Sequence, residues 1–325
     1  MQKRLSIVHL RRGKEESLER RHPWIFSGAI ERISEGIAPL MEGDVVDVVT
    51  KAGDFIARGH YQIGSIAVRV LTFEREEIDA TWWRERIASA RNLRETLGMV
   101  QNTKTTCYRL VHGEGDNLPG LIIDYYDGVC VMQAHSVGMF RAKKQITDAL
   151  CSIYGDTLKA VYDKSSSTAP FKAGLDLVDG YMYRRPDFHL DELTVKENGH
   201  KFLVNWTEGQ KTGFFLDQRE NRALVGSLSK DRNVLNLFCY TGGFSFYAMR
   251  GGANLVHSVD SSAKAIDLTN ENVELNFPGD TRHQAFAEDA FKYLDRMGDQ
   301  YDLIILDPPA FAKHRDALRN ALRGY

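Results

Sequence analysis

The stretch that decides the fold runs from residue 232 to residue 262 and reads "RNVLNLFCYTGGFSFYAMRGGANLVHSVDSS". A short apolar run is followed by a glycine-containing turn, a helical pattern and a second apolar run, as in two buried strands joined through a helix. The alternation continues to "YDLIILD" at residues 301–307. Strands and helices in strict succession predict βαβ units, and hence a parallel sheet with right-handed crossovers.

Each of the four predicted strands ends in polar or glycine-rich residues. Asn236 to Gly243 follow the first strand, and Asp260, Asp289 and Asp307 follow the next three. Ligands of such sheets bind beyond the carboxyl ends of the strands, so four polar ends predict a site there. The alternative is that each aspartate only caps the helix that follows it.

The first turn, "CYTGGFS" at residues 239–245, indicates the type of ligand. It has neither the Gly-x-Gly-x-x-Gly pattern of dinucleotide sites nor the Gly-Lys-Ser/Thr pattern of phosphate-binding loops. Gly242 and Gly243 would still let the backbone approach a cofactor closely, and Asp260 stands where related folds place a carboxylate on ribose hydroxyls. The pattern favours S-adenosylmethionine over NAD or ATP.

Composition and charge narrow the classes of protein to which the chain can belong. The chain has 325 residues, a formal net charge of -2 and four cysteines, and it shows neither a secretory apolar segment nor a run long enough to span a bilayer. We therefore expect a cytoplasmic protein whose nucleic-acid contacts depend on a local patch. Because Cys107, Cys130, Cys151 and Cys239 are scattered, we expect reduced thiols and no metal site.

The chain divides into four predicted parts. Residues 1–75 contain short alternating apolar runs, which indicate a β-barrel. Residues 76–104 hold a linker helix, with Asp79 or Thr81 as its cap and with Trp83, Ile87, Ala90 and Leu93 or Leu97 on one face. Residues 105–190 form a small α+β domain, and residues 191–325 form the alternating α/β domain.

Two segments add candidate site residues. In "GQKTGFFLDQR" at residues 209–219, Phe214 or Phe215 could cover the methionine end of the cofactor. Lys211, Gln218 and Arg219 could supply hydrogen-bond donors there. The alternative there is the entry to an amphipathic helix, with the aromatic rings in the core and Arg219 and Arg222 solvated.

The second segment is "DPPAF" at residues 307–311. Its two prolines stiffen the loop, so Asp307, Pro308 and Pro309 could present a carboxylate or carbonyl to a planar substrate while Phe311 stacks on a base. The alternative is a turn that ends the strand, with Phe311 in the core.

Several motifs together resemble a known family. "NGHKFLVNWTEGQKTGFFLDQRENR", "VLNLFCYTGGFSFYA", "SVDSS", "LDPPAF", "RLVHGEGDNLPGLIIDYY" and "RHPWIFSGAI" are similar to the RlmI-type class I methyltransferases of large-subunit ribosomal RNA. The resemblance covers essentially the whole chain. It implies an N-terminal PUA domain that binds RNA, a central α+β domain, a C-terminal Rossmann-like methyltransferase domain and a 5-methylcytosine product.

Residue by residue, the resemblance also implies functional positions. The cofactor motifs of the family fall on Asn236, Phe238, Tyr240, Thr241, Gly242, Gly243, Asp260, Ser261, Asp289 and Ala290, and Asp307 would border the methyl-transfer centre. Arg11, Arg12, Arg20, Arg21 and His22 are candidates for phosphate contacts, although glutamates are interleaved with them. The sequence leaves a homodimer open.

Methylation at C5 of cytosine needs a cysteine thiolate, which adds to C6 and makes C5 nucleophilic. The resembled family supplies this cysteine from a loop after a further strand. We therefore expect a truncated form that ends after the fourth strand of its sheet, with the nucleophile beyond Tyr325. The alternatives are methylation of a base nitrogen, which needs no thiolate, and an RNA-binding or assembly protein without catalysis.

Overall fold

The computed structural model describes residues 4–170 and 174–309, and the chain forms two compact units. The first contains the residues up to Asp191 together with Asn205–Phe214, and the second contains Glu192–Val204 and the chain from Phe215 onward. The chain therefore passes between the units three times. The four-part division made from the sequence stays a prediction, and it has no counterpart to the return of residues 205–214.

The N-terminal part of the first unit is a six-stranded sheet. Its strands are β1 (Ser6–Leu10), β2 (Trp24–Phe26), β3 (Ile30–Ser34), β4 (Val45–Val49), β5 (Phe55–Tyr61) and β6 (Ile66–Thr72), with the short helix α1 (Glu16–Glu19) between β1 and β2. The spatial order is β2-β6-β5-β4-β1-β3. The two end strands β2 and β3 are consecutive in the chain and are joined only by Ser27–Ala29, so the sheet must curl to bring its ends within reach.

Helix α2 (Ala80–Thr96) follows this sheet. The Asp79 carboxylate accepts a hydrogen bond from the Trp82 amide at 2.9 Å, which confirms Asp79 as the cap. Trp83, Ile87 and Ala90 are buried as expected, but Leu93 and Leu97 are exposed. Arg94 is buried instead because its guanidinium is held by both carboxylate oxygens of Asp116.

The rest of the first unit is a five-stranded sheet with helices α2, α3 (Val137–Arg141) and α4 (Lys143–Tyr154). Its strands are β7 (Cys107–His112), β8 (Leu121–Tyr126), β9 (Val129–Ala134), β10 (Ala160–Asp163) and β11 (Gly180–Arg184). The order is β11-β10-β9-β8-β7. Only the β9–β10 pair is parallel, so this α+β sheet differs in kind from the sheet of the second unit.

Residues 205–214 are anchored in the first unit by buried polar contacts. Thr212 is fully buried; its hydroxyl donates to Asp124 at 2.6 Å and lies 2.9 Å from the Tyr126 hydroxyl. The Lys164 ammonium donates to the carbonyl oxygens of Trp206 and Gly209. This segment is therefore part of the first unit's interior, although the chain on both sides of it belongs to the second.

The second unit contains a hairpin and a parallel sheet. The hairpin is formed by β12 (Glu192–Glu197) and β13 (His200–Asn205), and the sheet by β14 (Asn233–Leu237), β15 (Leu255–Asp260), β16 (His283–Ala287) and β17 (Leu303–Leu306). The helices are α5 (Arg219–Leu228), α6 (Gly243–Arg250), α7 (Ala263–Asn276) and α8 (Ala290–Arg296). The sheet order is β16-β15-β14-β17 and every pair is parallel, as the alternation of strands and helices predicts.

Candidate active site

The four strand ends of the parallel sheet lie along one edge. Leu237 pairs with Val259 and with Leu306, and Asp260 pairs with Ala287, so the residues that follow each strand emerge side by side. This confirms that the polar strand ends converge. We call this set the strand-end edge: Phe238–Gly243, Asp260–Ser262, Asp289–Ala290 and Asp307–Pro309.

The turn after β14 has an unusual backbone. Phe238 and Tyr240 both have positive φ angles, 55° and 49°, a conformation that costs non-glycine residues about 1–3 kcal/mol and persists only where the surroundings impose it. Asp260 imposes it here. One carboxylate oxygen accepts from the Tyr240 amide and the other from the Ser262 amide, both at 2.9 Å. Asp260 therefore links the turn after β15 to the turn after β14.

The glycines of this turn are required by packing inside the protein. A Cβ on Gly242, where φ is 78°, would lie 2.6 Å from Thr269 Cγ2, and one on Gly243 would lie 3.1 Å from Arg222 Cδ. Packing against neighbouring side chains therefore accounts for both glycines, and their contact with a cofactor stays a prediction.

Two further candidates, Asn236 and Thr241, are buried below the turn. The Asn236 amide donates to Ser245 Oγ at 3.0 Å, and Ser245 Oγ lies 2.7 Å from Ser258 Oγ. The Asn272 side chain donates to the Thr241 carbonyl. These hydrogen bonds support the turn from its buried side.

At Asp289 the structure shows the helix-cap arrangement. Its carboxylate accepts from the Phe291 and Lys292 amides, each at 3.1 Å, and begins α8. Ala290 is buried beneath it, and the exposed Phe291 ring meets Phe238 edge-on with centroids 6.5 Å apart. Ser261 is exposed beside Asp260. Asp289 therefore stabilises the start of α8, whether or not it also contacts a cofactor.

Asp307 follows β17 with an exposed carboxylate. Loss of solvation raises its pKa, and the negative charge of Asp217 raises it further. Among the residues that the structure describes, neither Asp307 nor Asp217 forms an ion pair. Pro308 and Pro309 follow in the described chain, whereas Phe311 lies outside the described residues.

The residues proposed to cover the methionine end are divided between the units. Lys211 and Phe214 belong to the first unit. Gln218 and Arg219 begin α5 in the second, where Gln218 accepts from Asn221 and Arg219 pairs with Glu220. The structure does bring Phe215 to the strand-end edge, with its ring edge-on to Tyr240 at a centroid distance of 5.3 Å.

Sequence reasoning missed the role of Arg222. It is buried, not solvated, and its guanidinium donates to both oxygens of the buried Glu197 carboxylate at 2.7 Å. Tyr247 donates to the same carboxylate at 3.0 Å. The partner lies in the hairpin, 25 residues earlier, and no local pattern in the sequence indicates such a pairing.

The cysteines are poor candidates for a nucleophile. Cys107, Cys130 and Cys239 are buried. Burial, with a smaller contribution from Asp260, raises the pKa of Cys239 to about 12, so its thiol stays protonated near neutral pH. Burial likewise raises the pKa of Cys130 and of Cys151.

The four arginines proposed for RNA contacts are exposed in the first unit. Arg11 donates to the Ile30 carbonyl at 3.0 Å, and the Arg21 guanidinium lies 4.8 Å from the centre of the Phe73 ring. Arg12 and Arg20 form no ion pair with any described residue.

The hydrogen-bond acceptors and the negative charge at the strand-end edge fit S-adenosylmethionine. Carboxylates follow three of the four strands, and within the described chain Asp260, Asp289 and Asp307 are not paired with a basic side chain. A carboxylate oxygen can accept two hydrogen bonds, so Asp260 keeps capacity for ribose hydroxyls after accepting its two amides. The uncompensated negative charge near Asp217 and Asp307 suits a sulfonium cation and would repel a phosphate.

Comparisons with known proteins agree with this geometry. Residues 8–73 match the family model of a PUA-like domain, and residues 178–324 match that of an S-adenosylmethionine-dependent methyltransferase. A solved methyltransferase complexed with SAH superposes with a TM-score of 0.79 at 25% identity, covering 95% of this chain and 78% of that one. An S-adenosylmethionine-dependent methyltransferase from Streptococcus mutans has the same fold, with a TM-score of 0.78 at 24% identity over 98% of this chain and 82% of that one.

The fold and the strand-end edge thus define an S-adenosylmethionine-dependent methyltransferase with an N-terminal PUA-like domain. Ribosomal RNA large subunit methyltransferase I from Aeromonas hydrophila is 40% identical over 324 residues, which are 98% of this chain and 79% of that protein. The protein of the same name from Shigella dysenteriae is 39% identical, over 97% of this chain and 78% of its own length. The chain belongs to the ribosomal RNA large subunit methyltransferase I family, and the resemblance is confirmed.

Two general properties complete the description. S-adenosylmethionine is the cofactor of this family's methyltransferase domain. Within residues 4–170 and 174–309, no helix combines the length and apolar character needed to cross a membrane.

Proposed function

We propose that this chain binds S-adenosylmethionine for transfer of its methyl group to C5 of a cytosine in large-subunit ribosomal RNA. The observation that carries the proposal is the strand-end edge, where aspartates without basic partners among the described residues follow three of the four parallel strands. Membership of the family supports RNA as the substrate. The choice of cytosine C5 rests on the resemblance stated from the sequence.

The cofactor would supply an electrophilic methyl group. Asp260 would accept hydrogen bonds from its ribose, the turn Phe238–Gly243 would hold the adenosine, and Asp289 would border the adenine. Asp307 and Asp217 would face the cationic sulfur, and Pro308 and Pro309 would keep Asp307 fixed beside the target base. Because the turn after β14 is already held by Asp260, little reorganisation is needed when the cofactor binds.

Transfer to C5 would require a thiolate that adds to C6, so that C5 becomes nucleophilic enough to take the methyl group, with S-adenosylhomocysteine as the leaving group. Loss of the C5 proton and elimination of the thiolate then restore the aromatic base. We propose that none of Cys107, Cys130, Cys151 and Cys239 supplies that thiolate, and that it comes from outside these 325 residues. The raised pKa of Cys239, the cysteine within the cofactor turn, supports this.

We also propose that the six-stranded sheet closes as a PUA-like barrel and contacts the RNA. Its end strands β2 and β3 are joined through only three residues, which supports closure. The division of the whole chain at residues 75, 104 and 190, and a cytoplasmic location, remain parts of the same proposal.

The first test is titration calorimetry of the 325-residue chain with S-adenosylmethionine, where we expect saturable binding. Absence of binding would contradict the proposed site and favour a scaffold without catalysis. The second is incubation with ribosomal RNA carrying 5-fluorocytidine, which traps a thiolate adduct. A trapped peptide containing Cys239, or 5-methylcytidine made by this chain alone, would overturn the assignment of the thiolate to an outside segment.

A second candidate is transfer to a base nitrogen. It is favoured by the same observation on the cysteines, because a nitrogen lone pair attacks directly and needs no thiolate. Mass spectrometry of digested nucleosides separates the two products, and bisulfite treatment separates them again because 5-methylcytosine resists deamination. An N-methylated nucleoside as the sole product would replace the C5 assignment.

A further inference from the structure

Three aromatic rings cluster on the outer side of β2 in the first unit. The centroid distances are 5.9 Å for His22 and Trp24, 6.4 Å for Trp24 and Phe26, and 6.3 Å for His22 and Phe26. Because side chains alternate along a strand, Ile25 points into the core with 3% exposure, whereas Phe26 is 50% exposed. We call His22, Trp24 and Phe26 the aromatic platform.

The rings of the aromatic platform are held in place. The Trp24 indole donates to the Glu114 carboxylate at 2.8 Å, and the Trp24 amide donates to His22 Nδ1 at 3.2 Å. His22 and Phe26 each stand edge-on to Trp24, with interplanar angles of 83° and 89°. Phe26 therefore presents an ordered ring to solvent, and burial in the core does not account for its position.

The segment that carries the platform is basic. Residues 11–26 contain five lysine or arginine and three glutamate side chains, a formal net charge of +2, whereas the whole chain carries -2. Arg12 and Arg20 are exposed, and Arg69 lies directly across from Trp24 in the β2–β6 pair. A cavity of 340 Å³ adjoins the platform, and the charged residues of its lining are Arg21, Arg86, Glu74 and Glu114, with Arg21 lying 3.9 Å from Glu74.

We infer that the aromatic platform stacks an unpaired base of the RNA substrate, with Phe26 as the contact face and the neighbouring arginines on the flanking phosphates. Aromatic rings beside positive charge are the usual means of holding single-stranded RNA, because every base has a face to stack. Bases inside a duplex are already stacked and cannot use such a surface. The inference rests on the proposed function, since it takes RNA as the substrate.

The test is fluorescence anisotropy of a labelled single-stranded RNA dodecamer titrated with the 325-residue chain. Phe26→Leu keeps an apolar side chain but removes the ring, and we expect its dissociation constant to rise about tenfold. Phe26→Tyr keeps the ring and should bind within about twofold of the unchanged chain. Arg20→Ala should instead flatten the salt dependence, lowering the slope of log affinity against log salt by about 0.7.

The matched control is Ile37→Ala, because Ile37 is an apolar residue of the same unit with 76% exposure and no aromatic character. Its RNA affinity should equal that of the unchanged chain. Titration with S-adenosylmethionine on every variant shows that the second unit is intact, and circular dichroism shows the same for the first.

Three outcomes overturn the platform. They are equal RNA affinity for Phe26→Leu and the unchanged chain, no binding of single-stranded RNA by the unchanged chain, and a dimer that Phe26→Leu dissociates in sedimentation while RNA affinity stays constant. The last would make the rings a contact between copies of the chain. If the chain binds RNA through Phe26 but does not bind S-adenosylmethionine, the proposed function fails and the platform stands.

Discussion

Acidic side chains inside the first unit and those at the strand-end edge of the second are treated differently. In the first unit they are paired with basic groups: Asp47 with Arg58, Asp116 with Arg94, Asp124 with Arg109, and Asp163 with Lys143. At the strand-end edge, within the described part of the chain, Asp260 and Asp289 accept only from backbone amides and Asp307 has no basic partner. Charges that serve the fold are neutralised within it, whereas those at the edge remain available to a cationic ligand.

The largest expected effect comes from a pair that serves the fold, Arg222 and Glu197. Arg222→Met would leave the Glu197 carboxylate buried and unpaired, which costs about 3–5 kcal/mol. Urea unfolding monitored by circular dichroism should show this loss. The double variant Arg222→Met with Glu197→Gln should recover part of it, and a single variant that loses less than about 1 kcal/mol would show that the pair is not a structural requirement.

Substitution of a carboxylate at the strand-end edge should lower the affinity for S-adenosylmethionine. Asp260→Asn removes a charged acceptor, and a hydrogen bond to a charged group contributes about 1.5–3 kcal/mol, so affinity for S-adenosylmethionine should fall about tenfold to a hundredfold. Titration calorimetry measures this fall in affinity. Asp295→Asn, an exposed position on α8 of the same unit, should bind like the unchanged chain; equal losses at both positions would remove the distinction between edge and surface carboxylates.

A buried histidine gives a pH test within the first unit. Burial, and secondarily Arg69, lowers the pKa of His60 to about 4, so the unfolded chain binds a proton that the folded chain does not between about pH 6.5 and pH 4. Stability should therefore fall as pH falls through this window, by about 1–2 kcal/mol from pH 7 to pH 5. Unfolding curves of His60→Phe should show a shallower pH dependence, and an unchanged slope would exclude His60 as the cause.

The smallest expected effect concerns Asp307. Its raised pKa means that the carboxylate takes up a proton at a higher pH than an ordinary aspartate, and a cationic cofactor favours the ionised form. Affinity for S-adenosylmethionine should thus be full above that pKa and decline as pH falls through it. Asp307→Asn should bind more weakly at pH 8 and lose this part of the pH dependence; a variant with the same pH profile would place Asp307 away from the sulfonium.

The features predicted from the sequence are those with a local cause. The alternation of apolar runs and helices gave the parallel sheet because each βαβ unit is continuous in the chain, and Asp79 was identified as a cap because its partner amide is three residues away. The polar strand ends were found for the same reason. Gly242 was also singled out, but for contact with a cofactor, whereas Thr269 is the group that excludes a side chain there.

The features that were missed depend on residues far apart in the sequence. Arg222 pairs with a glutamate in the hairpin, 25 residues earlier, so the alternative that left Arg222 solvated is wrong. Arg94 is buried by Asp116, 22 residues later, and the sequence did not single it out. Leu93 and Leu97 were given to the core by helical spacing, yet α2 turns a different face inward. Lys211 and Phe214 belong to the first unit, and the sequence did not predict this because their motif continues without a break into α5.

The anchoring of residues 205–214 also bears on how the protein is made. During synthesis, the first unit emerges up to Asp191 with Asp124 and Arg109 in place, but Thr212 is still to be added. At about 5–20 residues per second, the interior of the first unit stays incomplete for roughly 1–5 s while the hairpin of the second unit is translated. A nascent chain arrested before Thr212 should therefore be more sensitive to proteases than one arrested just after Phe214 has emerged.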